Sequence, residues 1–232
     1  MATEYGLIKY NGDIQFTSKV QTEGYVKYPE DSGNVYFRKT LETGIEGEIV
    51  SLVVTKHKFF KGNPEIFQIG ILGTDGVTYI LDLISRDQDG SYSAMAESLI
   101  ATLPNLKKGV VYKITPYNFT PEGRDRAVKG ISFKVGAEKV EKLKQARVFK
   151  NGDKLEGEIP AEIWTFNEVK EKWNKDDDEK VLFLKKILDE ATKTFERAPY
   201  TSKATSTAPK QETKVEQGTP PSTNSDKDEL PF

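Results

Sequence analysis

The feature that most constrains the fold is a long stretch of β-type sequence between residues 44 and 84. It begins with GIEGEIVSLVVTKHKFF (44–60), whose apolar alternation changes phase near Val50. A long strand with a β-bulge produces such a phase change. Two further alternating runs, EIFQIGIL (65–72) and VTYILDLI (77–84), flank a Gly-Thr-Asp-Gly turn and predict a hairpin.

The sequence on either side of this stretch predicts further strands and one helix. Apolar residues recur at helical spacing in 91–106, behind a serine cap. The β pattern then returns in VVYKITPYNF (110–119) and RAVKGISFKV (126–135). Before the long stretch, NVYFRKTL (34–41) alternates, and the first 30 residues carry weaker strand patterns. We therefore expect a mainly β protein with helices, of the α+β class.

The region after residue 150 predicts two helices, over 163–173 and from Asp178 to about Arg197. The first contains three large aromatic residues, and we expect them to dock against the β core, to pack on each other, or to form a homodimer contact. They are Trp164, Phe166 and Trp173.

The charge of the chain is unevenly distributed. The formal net charge is −2, yet residues 101–150 contain 12 lysines and arginines against four acidic residues. Local potential, rather than the total charge, governs the attraction of a polyanion. A solvated helix or hairpin coated by lysines between Lys139 and Lys150 would account for part of this excess.

The sequence lacks the residue sets that enzymes use. It has no cysteine, and its one histidine, His57, has the setting of an ordinary strand residue, so triads and multi-histidine metal sites are excluded. No GxxxxGKS/T or GxGxxG phosphate loop is present. The acids Asp176–Asp178 are typical of a helix start rather than of a magnesium site. We expect no enzymatic activity, no metal and no cofactor.

No run of residues is apolar and long enough to span a membrane, and no secretory signal opens the sequence. Together with the lack of cysteine, this predicts a cytoplasmic protein without a membrane partner.

Aromatic and basic residues alternate on the strands, and this mixture is the one that sequence-tolerant binding of single-stranded nucleic acid requires. Cations follow the phosphates while flat rings stack on unpaired bases. A duplex reader is expected to carry a basic recognition helix instead. The predicted contact residues are Tyr36, Arg38, Lys56, Lys58, Phe60, Lys113, Tyr117, Phe119, Arg124, Arg126 and Lys134.

Structural packing remains an alternative for each of these residues, because half-buried strands are normally aromatic and flanked by lysine. Phe133, in phase with Ile131 and Val135, is expected in the core. A one-residue error in strand phase would also exchange the two faces.

The last residues form an acidic tip after a polar stretch, 198–224, that contains too few apolar residues to fold and is expected to be disordered. The tip ends in SDKDELPF. Its predicted partner-binding residues are Asp226, Asp228, Glu229, Leu230, Pro231 and Phe232.

A β-barrel core, a hydrophilic linker and an acidic tip ending in Pro-Phe together resemble the single-stranded DNA-binding proteins of bacteria and their phages. The helical segment and the lack of a glycine-rich linker resemble the phage-encoded members more closely. The resemblance implies an oligonucleotide-binding (OB) fold, a five-stranded barrel, over residues 1–150. The helices predicted after residue 150 have no counterpart in a minimal OB barrel and are expected to form an extension over 151–197, followed by a disordered tail over 198–232.

The function that the resemblance implies is to coat and protect unpaired DNA. The tip would recruit replication, recombination and repair proteins through Phe232 and its acidic neighbours. Alternatives left open by the residues are an RNA-binding chaperone on the same barrel, a non-catalytic structural scaffold, and a metal-dependent nuclease.

Overall fold

A ten-stranded sheet organises the part of the chain that the computed structural model describes, namely residues 2–29, 35–57, 62–87, 90–149, 153–168 and 170–196. Its strands are β1 (Thr3–Ile8), β2 (Ile14–Ser18), β3 (Val26–Pro29), β4 (Val35–Leu41), β5 (Ile45–Lys56), β6 (Glu65–Gly73), β7 (Thr78–Ile84), β8 (Val111–Phe119), β9 (Val128–Val135) and β10 (Glu138–Lys139). Two small hairpins lie outside it: β11 (Arg147–Val148) with β12 (Lys154–Leu155), and β13 (Ile163–Asn167) with β14 (Lys172–Asp176). The helices are α1 (Ala94–Ile100), a 3₁₀ turn (Leu103–Asn105) and α2 (Asp178–Thr194).

The strands lie in the order β10-β9-β8-β5-β6-β7-β1-β2-β4-β3. Strands β5, β6 and β7 follow one another as antiparallel hairpins, and β8 returns through α1 to lie beside β5. This order, with the fourth strand beside the first, is a Greek key. All pairs in the sheet are antiparallel except β1 with β7, which are parallel.

The long β-type stretch folds as its sequence predicts. β5 and β6 pair along their length, with a register shift between Ile49 and Ser51 where the phase change near Val50 was expected. One face of these strands supplies buried side chains to the core, including Phe67 and Ile69. The bulge therefore keeps Ile49 and Leu52, which lie on either side of it, inside the core.

Helix α1 connects two strands that share no backbone hydrogen bonds. Its N-cap, Ser93, accepts a hydrogen bond from the Ala96 N–H and donates one to the Ile84 carbonyl at the end of β7. One turn later, the Ser98 hydroxyl accepts from the backbone N–H of Ile131 and donates to its carbonyl on β9. The helix thus lies between β7 and β9, and its apolar side is buried beneath the sheet.

Helix α2 is attached through a buried cation. The Lys180 side chain is only 3% exposed, and its Nζ lies 2.6 Å from Glu97 Oε1 on α1 and 2.8 Å from Glu162 Oε1. Burial alone would lower the pKa of Lys180, but the hydrogen bonds to Glu162 and Glu97 outweigh that effect and raise it. The lysine therefore stays charged and joins three segments of the chain.

The mainly β composition with few helices is confirmed, but the expected closed five-stranded barrel is wrong. Within the described residues the sheet is open, with β10 and β3 at its edges. The position beside β7 is taken by β1, and α1 stands between β7 and β9. Strands β1 to β4 and the short β10 extend the sheet past five strands.

The helix predicted over 163–173 is also wrong, because these residues form the hairpin β13–β14. Trp164 and Phe166 alternate with polar residues at strand period, and aromatic and β-branched residues favour the extended backbone. The second predicted helix is confirmed as α2. The expected disordered tail, 198–232, lies outside the described residues.

Candidate nucleic-acid interface

The β8–β9 hairpin carries four of the predicted contact residues on one face. Because successive strand side chains point to opposite sides of a sheet, Lys113, Tyr117 and Phe119 share a face, while Tyr112 and Ile114 are buried on the other. On β9, Ile131 and Phe133 are fully buried, as predicted, and Lys134 is exposed. Val135, expected beside them in the core, is instead 46% exposed. We call the surface that carries Lys113 and Lys134 the outer face.

Three lysines form a row across the outer face. Lys113 on β8 is the direct partner of Lys134 on β9, and Lys134 is the direct partner of Lys139 on β10. All three side chains are exposed. Like charges placed directly opposite each other destabilise a sheet. On its other side, Lys113 faces the exposed Glu46 of β5, which offsets part of this repulsion. We call these residues the lysine row; it concentrates positive potential on one stripe of the surface.

An aromatic pair lies farther along the same strand. The ring centroids of Tyr117 and Phe119 are 5.9 Å apart, and the rings are tilted by 46°. Phe119 is 54% exposed, whereas Tyr117 is half-buried and leans over β9. A Cβ at its partner residue, Gly130, would lie 2.5 Å from the Tyr117 hydroxyl oxygen. The glycine therefore permits the tyrosine to lie flat across the neighbouring strand.

Lys142 connects the aromatic pair to α1. Its Nζ donates to the Tyr117 hydroxyl at 3.3 Å and to the Ser98 hydroxyl, and it lies 5.3 Å from the centroid of the Tyr117 ring. Burial, with a smaller contribution from the charge of Lys139, lowers the pKa of Lys142 to about 8. The Lys142 side chain is therefore mostly charged at pH 7, and its two hydrogen bonds hold it beside the Tyr117 ring.

A cavity of about 360 Å³ lies where the β1–β2 turn meets the β8–β9 hairpin. Tyr10 is 71% exposed at its mouth, and the Lys129 Nζ lies 3.2 Å above the Tyr10 ring centroid. The Asn118 side chain donates to the Tyr10 carbonyl at 3.0 Å, which fixes the turn against β8. Ile8 and Met95 contribute apolar lining. The lining combines two cations, Arg86 and Lys129, with the carboxylate of Asp87, the Tyr10 ring and apolar side chains.

The loop between β8 and β9 carries the predicted Arg124 and Arg126, and both are exposed. Arg126 lines a second cavity, of about 580 Å³, together with side chains of the β13–β14 hairpin. The loop therefore extends the cationic surface from the hairpin strands toward β13 and β14.

Other predicted residues lie elsewhere. Tyr36 and Arg38 are on the outer face of β4, six strands from β8, which is about 29 Å along the sheet. The Arg38 guanidinium carbon stacks 3.5 Å from the centroid of the Tyr28 ring on β3. Lys56 is exposed at the end of β5, in phase with the buried Phe67 rather than with the outer face. These residues are not part of the cluster on β8 and β9.

The remaining predicted residues lie outside the described part of the chain. These are Lys58, Phe60 and the tip residues Asp226, Asp228, Glu229, Leu230, Pro231 and Phe232.

Several residues of this surface escaped the sequence-based prediction. Lys139 continues the lysine row because the chain turns at Gly136 and β10 pairs back on β9. Recognition of a two-residue hairpin turn at Gly136-Ala137 would have indicated this pairing. Lys142 approaches Tyr117, and Tyr10 packs against Lys129, through tertiary contacts that leave no local signal.

No group of three or more histidine, cysteine or acidic side chains suited to a metal occurs among the described residues. In the same part of the chain, no helix is both long and apolar enough to cross a membrane. A scan against protein-family models, a search of curated proteins and a search of solved structures each gave no match to the chain.

Proposed function

We propose that this chain is a single-stranded DNA-binding protein that coats and protects unpaired DNA without catalysing a reaction. The observation that carries the proposal is the lysine row, Lys113–Lys134–Lys139, on the same face as the Tyr117–Phe119 pair. The row repels itself in the free protein, and a polyanion laid along it would relieve that repulsion.

The rings supply what a purely electrostatic surface lacks. Base–aromatic stacking contributes roughly 1–3 kcal/mol per base and tolerates any sequence, because every base has a flat face. In a duplex these faces are already stacked, so a surface that combines rings with a cation row favours unpaired strands. Helix α1 lies behind the sheet, with no basic residue in its last turn, and offers no recognition helix.

The strand order supports an OB-type module for residues 45–135. OB folds are five-stranded, partly open Greek-key barrels that bind oligonucleotides with their second and third strands and with the loops after the first and fourth. Here the Greek key runs from β5 to β8 and β9 follows, so the aromatic pair and most of the lysine row lie on the fourth and fifth strands. The correspondence with the binding elements of an OB fold is therefore confined to the loops. The loop after β8 contains Arg124 and Arg126, and the predicted Lys58 and Phe60 belong to the segment between β5 and β6.

We propose further that the acidic tip recruits replication, recombination or repair proteins. The support is chemical: Leu230, Pro231 and Phe232 suit an apolar pocket on a partner, and Asp226, Asp228 and Glu229 suit its basic rim. Deletion of residues 224–232 is expected to leave the affinity for an oligonucleotide unchanged or higher while it abolishes binding of such a partner. A truncated protein that binds DNA much more weakly would contradict this part of the proposal.

The test of the main proposal is the anisotropy of a labelled thymidine oligomer titrated with the full chain at several salt concentrations. If each lysine of the row neutralises one phosphate, the logarithm of the affinity should fall with the logarithm of salt with a slope of about −2 or steeper. Duplex DNA should compete poorly. Absence of association at low salt would overturn the proposal, and stronger competition by a uridine oligomer would assign the surface to RNA.

A further inference from the structure

The β13–β14 hairpin presents an aromatic surface that the interface described above does not include. The register pairs Phe166 with Trp173 and Trp164 with Lys175, so these four side chains share one face of the hairpin. The Phe166 and Trp173 ring centroids are 5.3 Å apart. The hairpin forms its own two-stranded sheet among the described residues and does not extend the large one.

The aromatic side chains of this hairpin remain largely accessible. Trp164 is 52% exposed, Phe166 49% and Trp173 45%, and Phe149 nearby is 48% exposed. A contiguous apolar patch of this kind marks an interaction site when it occurs on a folded protein. A two-stranded hairpin is marginally stable by itself, and burial of its aromatic rings would stabilise it. Because the rings are exposed, they contribute little to the stability of this segment.

The two tryptophans line one cavity. It has a volume of about 580 Å³ and is lined by Arg126, Val148, Phe149, Ile163, Trp164 and Trp173. This volume lies within the range of roughly 300–1,000 Å³ that small-molecule sites occupy. Of the six described residues that line it, one is a cation and the other five are apolar or aromatic.

The cationic residue ties the cavity to the proposed interface. Arg126 belongs to the β8–β9 loop, which begins one residue after the exposed Phe119. A strand that leaves the aromatic pair in the direction of this loop reaches Arg126 and then the tryptophans. Flat rings beside an arginine suit a base with its phosphate. The same residue types are enriched in protein–protein contacts, and the experiments below distinguish the two.

We propose that Trp164 and Trp173 form an accessory site that takes one unpaired nucleobase, with Arg126 binding the adjoining phosphate. The site rests on the proposed function, because the base is part of a strand already held by the lysine row and the Tyr117–Phe119 pair. The base stacks on indole rings, and burial of the exposed rings adds to the affinity of the strand.

The sequence makes this site unusually easy to observe, because Trp164 and Trp173 are the two tryptophans of the whole chain. Tryptophan emission therefore reports the cavity alone. The full-length protein is titrated with a thymidine oligomer while tryptophan emission and the anisotropy of a label on the oligomer are recorded together. Emission should be quenched in step with the anisotropy increase, since stacked bases quench indole fluorescence.

Substitutions separate stacking from general apolar contact. Trp164→Phe keeps a flat ring and should retain most of the affinity, whereas Trp164→Leu keeps the apolar surface without the ring and should lose about tenfold. Trp173→Phe and Trp173→Leu should behave in the same way. Leu182→Ala on α2, which removes a side chain that is 67% exposed, serves as the control and should leave affinity unchanged. Circular dichroism melting checks that each variant is folded.

The outcomes distinguish this inference from the function on which it depends. Oligomer binding with unchanged tryptophan emission, or equal affinity of the Phe and Leu variants, overturns the accessory site and leaves the lysine row as the interface. A dimer in sedimentation that Trp164→Leu dissociates assigns the cavity to a second copy and overturns it too. Failure of the wild-type protein to bind the oligomer refutes the proposed function, and the accessory site with it.

Discussion

Lys113 on β8 and Lys134 on β9 are direct cross-strand partners, and both side chains are exposed on the outer face. Lys139 on β10 continues the same row. Lys113 also faces Glu46 on β5, so the uncompensated positive charge lies toward Lys134 and Lys139, where a phosphate backbone would relieve the repulsion.

Neutralising the row should weaken binding and reduce its salt dependence. Each of the variants Lys113→Gln and Lys134→Gln should make the slope of log affinity against log salt shallower by about 0.7. This is the value for one phosphate contact on a single strand. Because the mutual repulsion is relieved, the free energy of unfolding should stay equal or rise slightly. Anisotropy titrations and urea unfolding measure the two effects.

A charge-matched control for this experiment is Lys185→Gln, which removes an exposed lysine from α2. It should leave the salt slope unchanged. If all three variants reduce the slope equally, net charge rather than the row governs binding.

Removing the exposed ring of the aromatic pair should lower affinity without lowering stability. Phe119 is 54% exposed, so Phe119→Ala removes little core packing, and its affinity for a thymidine oligomer should fall about tenfold. Phe119→Tyr should bind like the wild type. A loss of thermal stability that accounts for the weaker binding would show instead that the ring packs the hairpin.

The buried position of Lys142 predicts a pH-dependent stability. Its folded-state pKa of about 8 lies below the ordinary value of 10.5, so between these pH values the unfolded chain holds the proton that the native state has lost. The free energy of unfolding of the wild type should therefore rise from pH 8 to pH 10.5 relative to Lys142→Met. Allowing for solvent screening, the difference is on the order of 1 kcal/mol.

Urea unfolding of both proteins across this range measures the effect. The Met variant lacks the titrating group and should give the flatter profile of the two. Parallel profiles would mean that Lys142 is solvated in the native state.

The buried cation on α2 should be costly to remove alone and cheaper to remove with its partners. Lys180→Met leaves Glu97 and Glu162 close together without a counter-charge and should destabilise the protein by about 3–5 kcal/mol. Adding Glu97→Gln and Glu162→Gln should recover most of the lost free energy of unfolding. Lys186→Met, at an exposed position of the same helix, is the control. Equal stability of the single and triple variants would mean that Lys180 does not interact favourably with the two carboxylates.

The elements predicted correctly are those whose determinants are local. The alternation in β5–β9, the bulge beside Val50 and the serine cap of α1 each depend on residues close in sequence. The shared face of Lys113, Tyr117 and Phe119 follows from strand period alone. Strand order does not follow from it, because the parallel pairing of β1 with β7 joins segments about 75 residues apart.

The errors have similar causes. The β13–β14 hairpin was missed because charged residues in its turn and second strand resemble those of a solvated helix, although Trp164 and Phe166 carry the strand period. Arg126 was identified as a cation, yet its position beside Trp164 and Trp173 depends on tertiary packing.

The link between Ser98 and Ile131 has a consequence for assembly. That serine satisfies both backbone groups of Ile131 on the outer edge of β9, and β10 pairs with the next stretch, so this described edge offers little to a strand from another molecule. A second molecule bound beside the first would therefore contact this edge through side chains and would not extend the sheet there.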